Sequence, residues 1–387
     1  MKGRNRVKHH RYNKDFKFIE EPIEFNKYTD KEILQYCLGA TLYMPSKKDI
    51  INKIINKEIE GLTTMVMCFE DAIRPEDLIE AQENVISILD TLSNHLINGT
   101  LTQDDIPLYF LRVRNPKQFK EFSNRLDKKH YRVLTGFIFP KFCSKNGHEY
   151  LNILEDLNNK YGEIIYGMPI LESEEIIYKE NRINELVAIQ NMLYSYKDYI
   201  LNVRVGATDF SSKFGVRRGI NYNVYDINVI ADCLSDILNF FNREGQEYVV
   251  SAPVWEYFSQ ENFNKVATQK PFNIHKFLLR RKSIVNDAID GLLREVALDK
   301  ANGFVGKTII HPTHLKFVNA LQAVTLEEYE DALMVIDNQG GGVLKGANGN
   351  KMNETNPHFN WAKKTLLRAK AYGVVESNDS YTRLFLG

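Results

Sequence analysis

TTMVMCFED (63–71), PLYFLRVRNP (107–116), TGFIFPK (135–141), IIYGMPILE (164–172) and YILNVRVGATD (199–209) decide the fold. Each is a short run of β-branched, aromatic and other apolar residues, and each leads into charged side chains. Those side chains are Glu70 and Asp71, Arg112, Lys141, Glu172 and Asp209. Runs of this length and composition predict strands. GATLYM (39–44) precedes the series, and YVVSA (248–252) and FVGKTII (304–310) follow it, making eight. Between them lie segments of helical period, clearest in EDLIEAQENVISILDTLSNHL (76–96) and VYDINVIADCLSDILNFFNR (224–243). Strand–helix alternation predicts a parallel sheet. Eight repeats over roughly 270 residues suit a (β/α)8 TIM barrel, for which about 250 is usual. An open doubly wound sheet is the alternative. Against it, no GxGxxG follows the first run, and charged residues recur after most runs instead of at one switch point.

In a parallel barrel the C-terminal ends of the strands form one mouth, where active sites lie. The charged residues at the run ends would therefore converge. Glu172 and Asp209, on adjacent strand ends, suit a divalent cation: Mg²⁺ commonly takes one or two carboxylates and leaves other positions to water and substrate. No His-x-x-x-His or cysteine cluster points to zinc instead. Arg112 can clamp a carboxylate or stabilise an enolate oxygen. It can equally form an ion pair with Glu70 or Asp71, and the two roles are compatible. Lys47 and Lys48, just after the first run, could meet phosphates or simply be solvated.

Fifty Lys and Arg balance fifty Asp and Glu, which argues against a dedicated nucleic-acid binder. The four cysteines are scattered, as expected of reduced thiols in a cytoplasmic protein. No apolar run reaches the ~18–20 residues that span a bilayer, and no apolar stretch of a secretory signal follows the basic start. Residues 1–37 read as a basic and polar N-terminal arm, flexible or wrapped on the surface. Residues 38–325 read as the barrel, with an aromatic and amide-rich insertion around 253–285. Residues 326–387 read as a C-terminal helical lid extension.

The strand-end motifs resemble those of the citrate lyase beta-subunit, malyl-CoA lyase and HpcH–HpaI aldolase superfamily. LYMPSKK is similar to its first-strand motif, CFEDAI (68–73) to its acidic second-strand motif, FLRVRNP to its arginine strand and FPK (139–141) to its Pro-Lys strand end. PILES and GATDF resemble the metal-glutamate and metal-aspartate strands, and GFVGKTIIHPTH (303–314) the segment of its last strand, the most specific of the set. The resemblance implies a Mg²⁺-dependent carbon–carbon lyase or aldolase, with Mn²⁺ as a substitute cation. Glu172 and Asp209 would hold the metal, Arg112 would polarise a 2-oxo acid or acyl-CoA substrate, and Glu70, Asp71 and Lys141 would complete the catalytic set. GNKMNETNPHFNWA (349–362) resembles a lid that reaches a neighbouring subunit, with Glu354 as its acid/base carboxylate. A homo-oligomer, a trimer or hexamer, is implied too.

Cys68 and His314 depart from the usual Asp and Gln, and the insertion before Gly303 is long, so CoA and non-CoA substrates both stay open. The chain is similar to a divergent bacterial branch encoded beside tellurium-resistance genes. The alternative reading is a non-catalytic barrel that binds a metabolite or partner in a stress-response assembly. Retention of Glu172, Asp209 and Arg112 together speaks against that alternative.

Overall fold

We describe residues 8–13, 15–245, 248–259, 284–338 and 340–386 of a computed structural model. The eight runs form β1 (Ala40–Pro45), β2 (Thr64–Cys68), β3 (Leu108–Arg112), β4 (Leu134–Phe139), β5 (Tyr166–Leu171), β6 (Val203–Val205), β7 (Val250–Ser251) and β8 (Lys307–Ile309). They pair in parallel in the order β7-β6-β5-β4-β3-β2-β1-β8. A parallel bridge between Ala252 and Lys307 joins the two ends, so the sheet closes on itself. The protein is a (β/α)8 barrel with a C-terminal helical extension.

Strands covered on both faces need apolar residues at successive positions, not alternate ones. This is why β2 to β5 read as continuous apolar runs and are buried along their whole length. The close approach of β4 to β5 requires Gly136, where a Cβ would lie 2.0 Å from the Tyr166 carbonyl oxygen. The helical segments read from the sequence are the outer ring, among them Leu78–Ile97 and Asn228–Phe241. The charged middle of the insertion, 260–283, lies outside the described residues. Its leading flank is anchored, with Trp255 fully buried and its Nε1 donating to the Ala288 carbonyl at 2.9 Å.

Both ends of the chain cover the bottom of the barrel. Lys8, His9 and His10 are buried. Lys8 Nζ donates to the carbonyls of Phe25 (2.9 Å) and Ile106 (3.1 Å). The His9 ring stacks on Tyr372 at 4.6 Å. The arm is thus a wrap built into the core from Lys8 onward, not a free basic tail. The helix Leu326–Asp337 begins with a capping box, Thr325 with Glu328, and packs on the helix Thr355–Tyr372. A two-stranded hairpin, Val343–Lys345 with Met352–Glu354, connects them. The final helix, Ser380–Leu386, buries Tyr381, Leu384 and Phe385 in the main core. No described helix is long and apolar enough to cross a membrane.

Candidate active site at the barrel mouth

Strand register brings the charged run ends to one level. Cys68 at the end of β2 pairs with Arg112, and Arg112 with Ile138. Phe139 pairs with Pro169, and Leu171 with Val205. Glu70, Asp71, Lys141 and Glu172 follow directly, and Asp209 sits in the first turn of the helix Ala207–Lys213.

Arg112 is the hub. Its Nη2 lies 2.8 Å from Glu172 Oε1 and 2.9 Å from Glu70 Oε2, and its Nη1 lies 3.3 Å from Asp71 Oδ2. The ion pair read from the sequence is present, and the guanidinium also faces the cavity. Lys141 is the second cation. Its Nζ hydrogen-bonds Glu70 and stands 3.7 Å from Asp71 and 3.9 Å from Asp209. Its backbone is left-handed, with φ at 49°. That costs a non-glycine residue roughly 1 kcal/mol. The turn directs the Lys141 amide at Glu172 Oε1, to which it donates at 3.0 Å.

Glu172 is only 4% exposed. Burial, helped by the nearby Asp209 charge, pushes its carboxyl up to about 7 against the pull of Arg112 and Lys141. Oε1 accepts from Arg112 Nη2 and from the Lys141 amide, and Oε2 has no hydrogen bond among the described residues. Oε2 has room because position 206 is glycine: a Cβ there would lie 2.1 Å away. Glu70 and Asp71 are driven apart. Burial and the Asp71 carboxylate raise Glu70. Asp71 is lowered, because its contacts with Glu70, Arg112 and Lys141 outweigh its own burial.

Two cations (Arg112, Lys141) face four carboxylates (Glu70, Asp71, Glu172, Asp209), so the fully ionised cluster carries two uncompensated negative charges. Among the described residues no group of three or more His, Cys, Asp or Glu side chains could hold a metal by itself. Two carboxylates with room for water and substrate fit Mg²⁺ better than a closed protein cage. A cavity of about 340 Å³ opens beside Arg112, Glu172 and Asp209. Tyr43, Met44 and Pro45 line it from β1, Thr308 from β8 and Ile310 from just beyond β8.

The remaining candidates lie elsewhere. Lys47 is engaged by Asp77 (3.4 Å) and Glu80 (2.7 Å). Lys48 is exposed, and neither lysine lines the cavity. Glu354 is exposed at the end of the hairpin. The helix that follows it lines a separate cavity of about 540 Å³ with Tyr248, Val249, Gly303 and Val305, which lie at the entry ends of β7 and β8. Within one chain Glu354 is therefore not brought to the mouth. One lining residue is missed by the strand-end reading: Arg204 lies inside β6 and not at its end. Its signal is a charge in the middle of an apolar run, VRV, where the barrel has no solvent to receive it.

A family model for C–C bond lyases of the TIM-barrel fold matches residues 32–374. The chain belongs to this C–C bond lyase family. Among solved structures, it is similar to the CitE protein of Mycobacterium tuberculosis in complex with magnesium, acetoacetate and coenzyme A. The identity is 14%, the TM-score 0.49, and the match covers 86% of this chain and 97% of that one. Malate synthase of Haloferax volcanii, in a magnesium and glyoxylate complex, shares 10% identity at a TM-score of 0.47, over 72% of this chain and 74% of its own. An HpcH/HpaI aldolase of Desulfitobacterium hafniense shares 11% identity at a TM-score of 0.37, over 70% and 85%. No curated protein matches the chain. As a C–C bond lyase family member the protein is an enzyme of the lyase and aldolase type.

Proposed function

We propose that this lyase makes or breaks a carbon–carbon bond next to a 2-oxo acid or acyl-CoA, through an enolate, with Mg²⁺ or Mn²⁺ held by Glu172 and Asp209. The observation that carries the reading is the charge balance at the mouth. With all four carboxylates ionised two negative charges are left over, and Glu172, nearly buried beside the cavity, has no hydrogen bond to Oε2 among the described residues. Burying a carboxylate with one oxygen left without a partner is costly, and a divalent cation between Glu172 and Asp209 would supply that partner and offset negative charge on this wall of the cavity. When bound, the cation would act as a Lewis acid toward a developing oxyanion.

The protein's own groups have separable parts in this reaction. Arg112, fixed by three carboxylates, would donate to the oxygen that gains charge in the transition state; its buried Nε has no partner among the described residues. Neighbouring carboxylates pushed in opposite directions are the arrangement that divides acid from base. Glu70, raised and in contact with Lys141, would carry a proton, while Asp71 stays anionic and orients Arg112. Glu354 would act as acid or base only on the mouth of a second copy of the chain, within a trimer or hexamer. Free 2-oxo acids and CoA thioesters are both within the reading. Lys48 is the better placed of the two lysines for a phosphate, since Lys47 is already paired.

Glu172→Gln and Asp209→Asn should each lower Mg²⁺-dependent turnover by on the order of 100-fold or more, with circular dichroism unchanged. Full turnover in either folded variant would refute the metal assignment.

A further inference from the structure

Arg204 is the one charged side chain within β6, and it is 1% exposed. It reaches across the barrel interior. Nη2 donates to Thr308 Oγ1 at 2.6 Å and Nη1 to Thr41 Oγ1 at 3.3 Å. Those threonines are register partners on β8 and β1. Among the described residues the buried Nε of Arg204 has no hydrogen-bond partner, and the guanidinium forms no salt bridge with a carboxylate. The side chain lines the same cavity as Arg112 and Glu172.

A guanidinium stays protonated at any physiological pH, so burial cannot neutralise it. Hydroxyl acceptors satisfy two of its donors but bring no negative charge. The face of Tyr43, 5.6 Å from the guanidinium carbon, adds a weak attraction and also leaves the charge unmatched. A buried charge is normally paired. Arg112 shows what pairing looks like in this cavity, with three carboxylates around it, and Arg204 has none. The cavity thus has two different walls: a carboxylate-rich one at the ends of β2 to β6, and a cationic one beside β1 and β8.

We propose that Arg204 receives a second anionic group of the substrate, a carboxylate or a phosphate, on the part of the molecule remote from the group held at Glu172 and Asp209. This rests on the reading of that pair as the site of a metal-bound oxo acid. It narrows the substrate to molecules with an anion at each end and disfavours those whose far end is a plain alkyl chain.

Calorimetric binding with Mg²⁺ tests this without turnover. The probes are 2-oxoglutarate, its analogue with a terminal phosphonate, and 2-oxopentanoate, which has the same chain length and no distal anion. At least one of the first two should bind tenfold or more tightly than 2-oxopentanoate, and the tighter one identifies the anion. Arg204→Met should remove that preference, and Arg204→Lys should keep part of it. Equal binding of all three by the wild-type protein would overturn the proposal, whatever the variants do. Mg²⁺-dependent oxalate binding reads the Glu172 site separately, and Arg204→Met should change it less than twofold. If oxalate does not bind, the metal reading fails, and inorganic phosphate without metal then probes Arg204 alone. Binding lost in Arg204→Met would sustain the anion site, and no binding by the wild-type protein would overturn it.

Discussion

Glu172 concentrates the chemistry of the mouth in one residue. Its burial, its two donors on Oε1 and its open Oε2 each depend on a neighbour with an unusual requirement. Lys141 must adopt a left-handed backbone to aim its amide, and position 206 must lack a Cβ. Gly206→Ala is therefore an informative change. The added methyl would overlap Glu172 Oε2, and overpacking of this kind costs about 1–3 kcal/mol. We expect a lower urea midpoint and a Mg²⁺ affinity reduced about tenfold or more, measured by calorimetry. Unchanged Mg²⁺ affinity would show that Oε2 is not a ligand. At this scale the sequence is informative for residues that end an apolar run, because chain direction alone puts them at the mouth. It is less so for Arg204, whose place inside a run gives no hint that Thr41 and Thr308 would hold it.

Among the elements, the strands were the most legible. All eight apolar runs became strands, because burial on both faces leaves a continuous apolar signature that turns and amphipathic helices lack. The helix Leu326–Asp337 falls within the stretch read as a helical extension, and the structure adds the capping box of Thr325 and Glu328 that starts it. The C-terminal extension was harder to read. Its sequence suggests a lid, yet its helices bury Tyr372, Tyr381, Leu384 and Phe385 in the main core. Removing residues 340–387 would thus report on folding more than on catalysis. Subunit mixing separates the two roles. Glu354→Gln and Glu172→Gln should each be nearly inactive alone. Mixed oligomers should regain part of the activity, since a mouth with native Glu172 can then meet a native Glu354 from its neighbour. An active Glu354→Gln protein, or no recovery on mixing, would exclude a role for Glu354 in trans.

Across the whole molecule, the bottom of the barrel is closed by segments far apart in the sequence. Lys8 to His10 read as part of a polar arm, flexible or wrapped on the surface, because nothing local announces that Phe25, Ile106 and Tyr372 will cover them. Such long-range burial has a pH signature. Burial lowers His10 to about 4, against a raising contribution from the Tyr372 carbonyl. Burial and the nearby His311 lower His314 to about 4. Both rings stay neutral in the folded chain while the unfolded chain takes up protons near 6.5. The unfolded state then binds more protons between about 4 and 6.5, so stability is present above that window and is lost as pH falls through it. Each ring should contribute a loss of about 2 kcal/mol between pH 7.5 and 5. Urea denaturation of the wild-type protein and His314→Gln at the two pH values should show their difference moving by that amount, with the wild type losing more. A constant difference would mean that His314 titrates alike in both states.

In the proposed reaction the mouth holds one divalent cation between Glu172 and Asp209. Mn²⁺ titration followed by electron paramagnetic resonance tests it most directly, using wild-type, Glu172→Gln and Asp209→Asn proteins. The wild-type protein should bind one Mn²⁺ per chain with a spectrum altered by added oxalate, and both folded variants should bind it at least tenfold more weakly. Equal Mn²⁺ binding by all three proteins, or a spectrum indifferent to oxalate, would contradict the proposal.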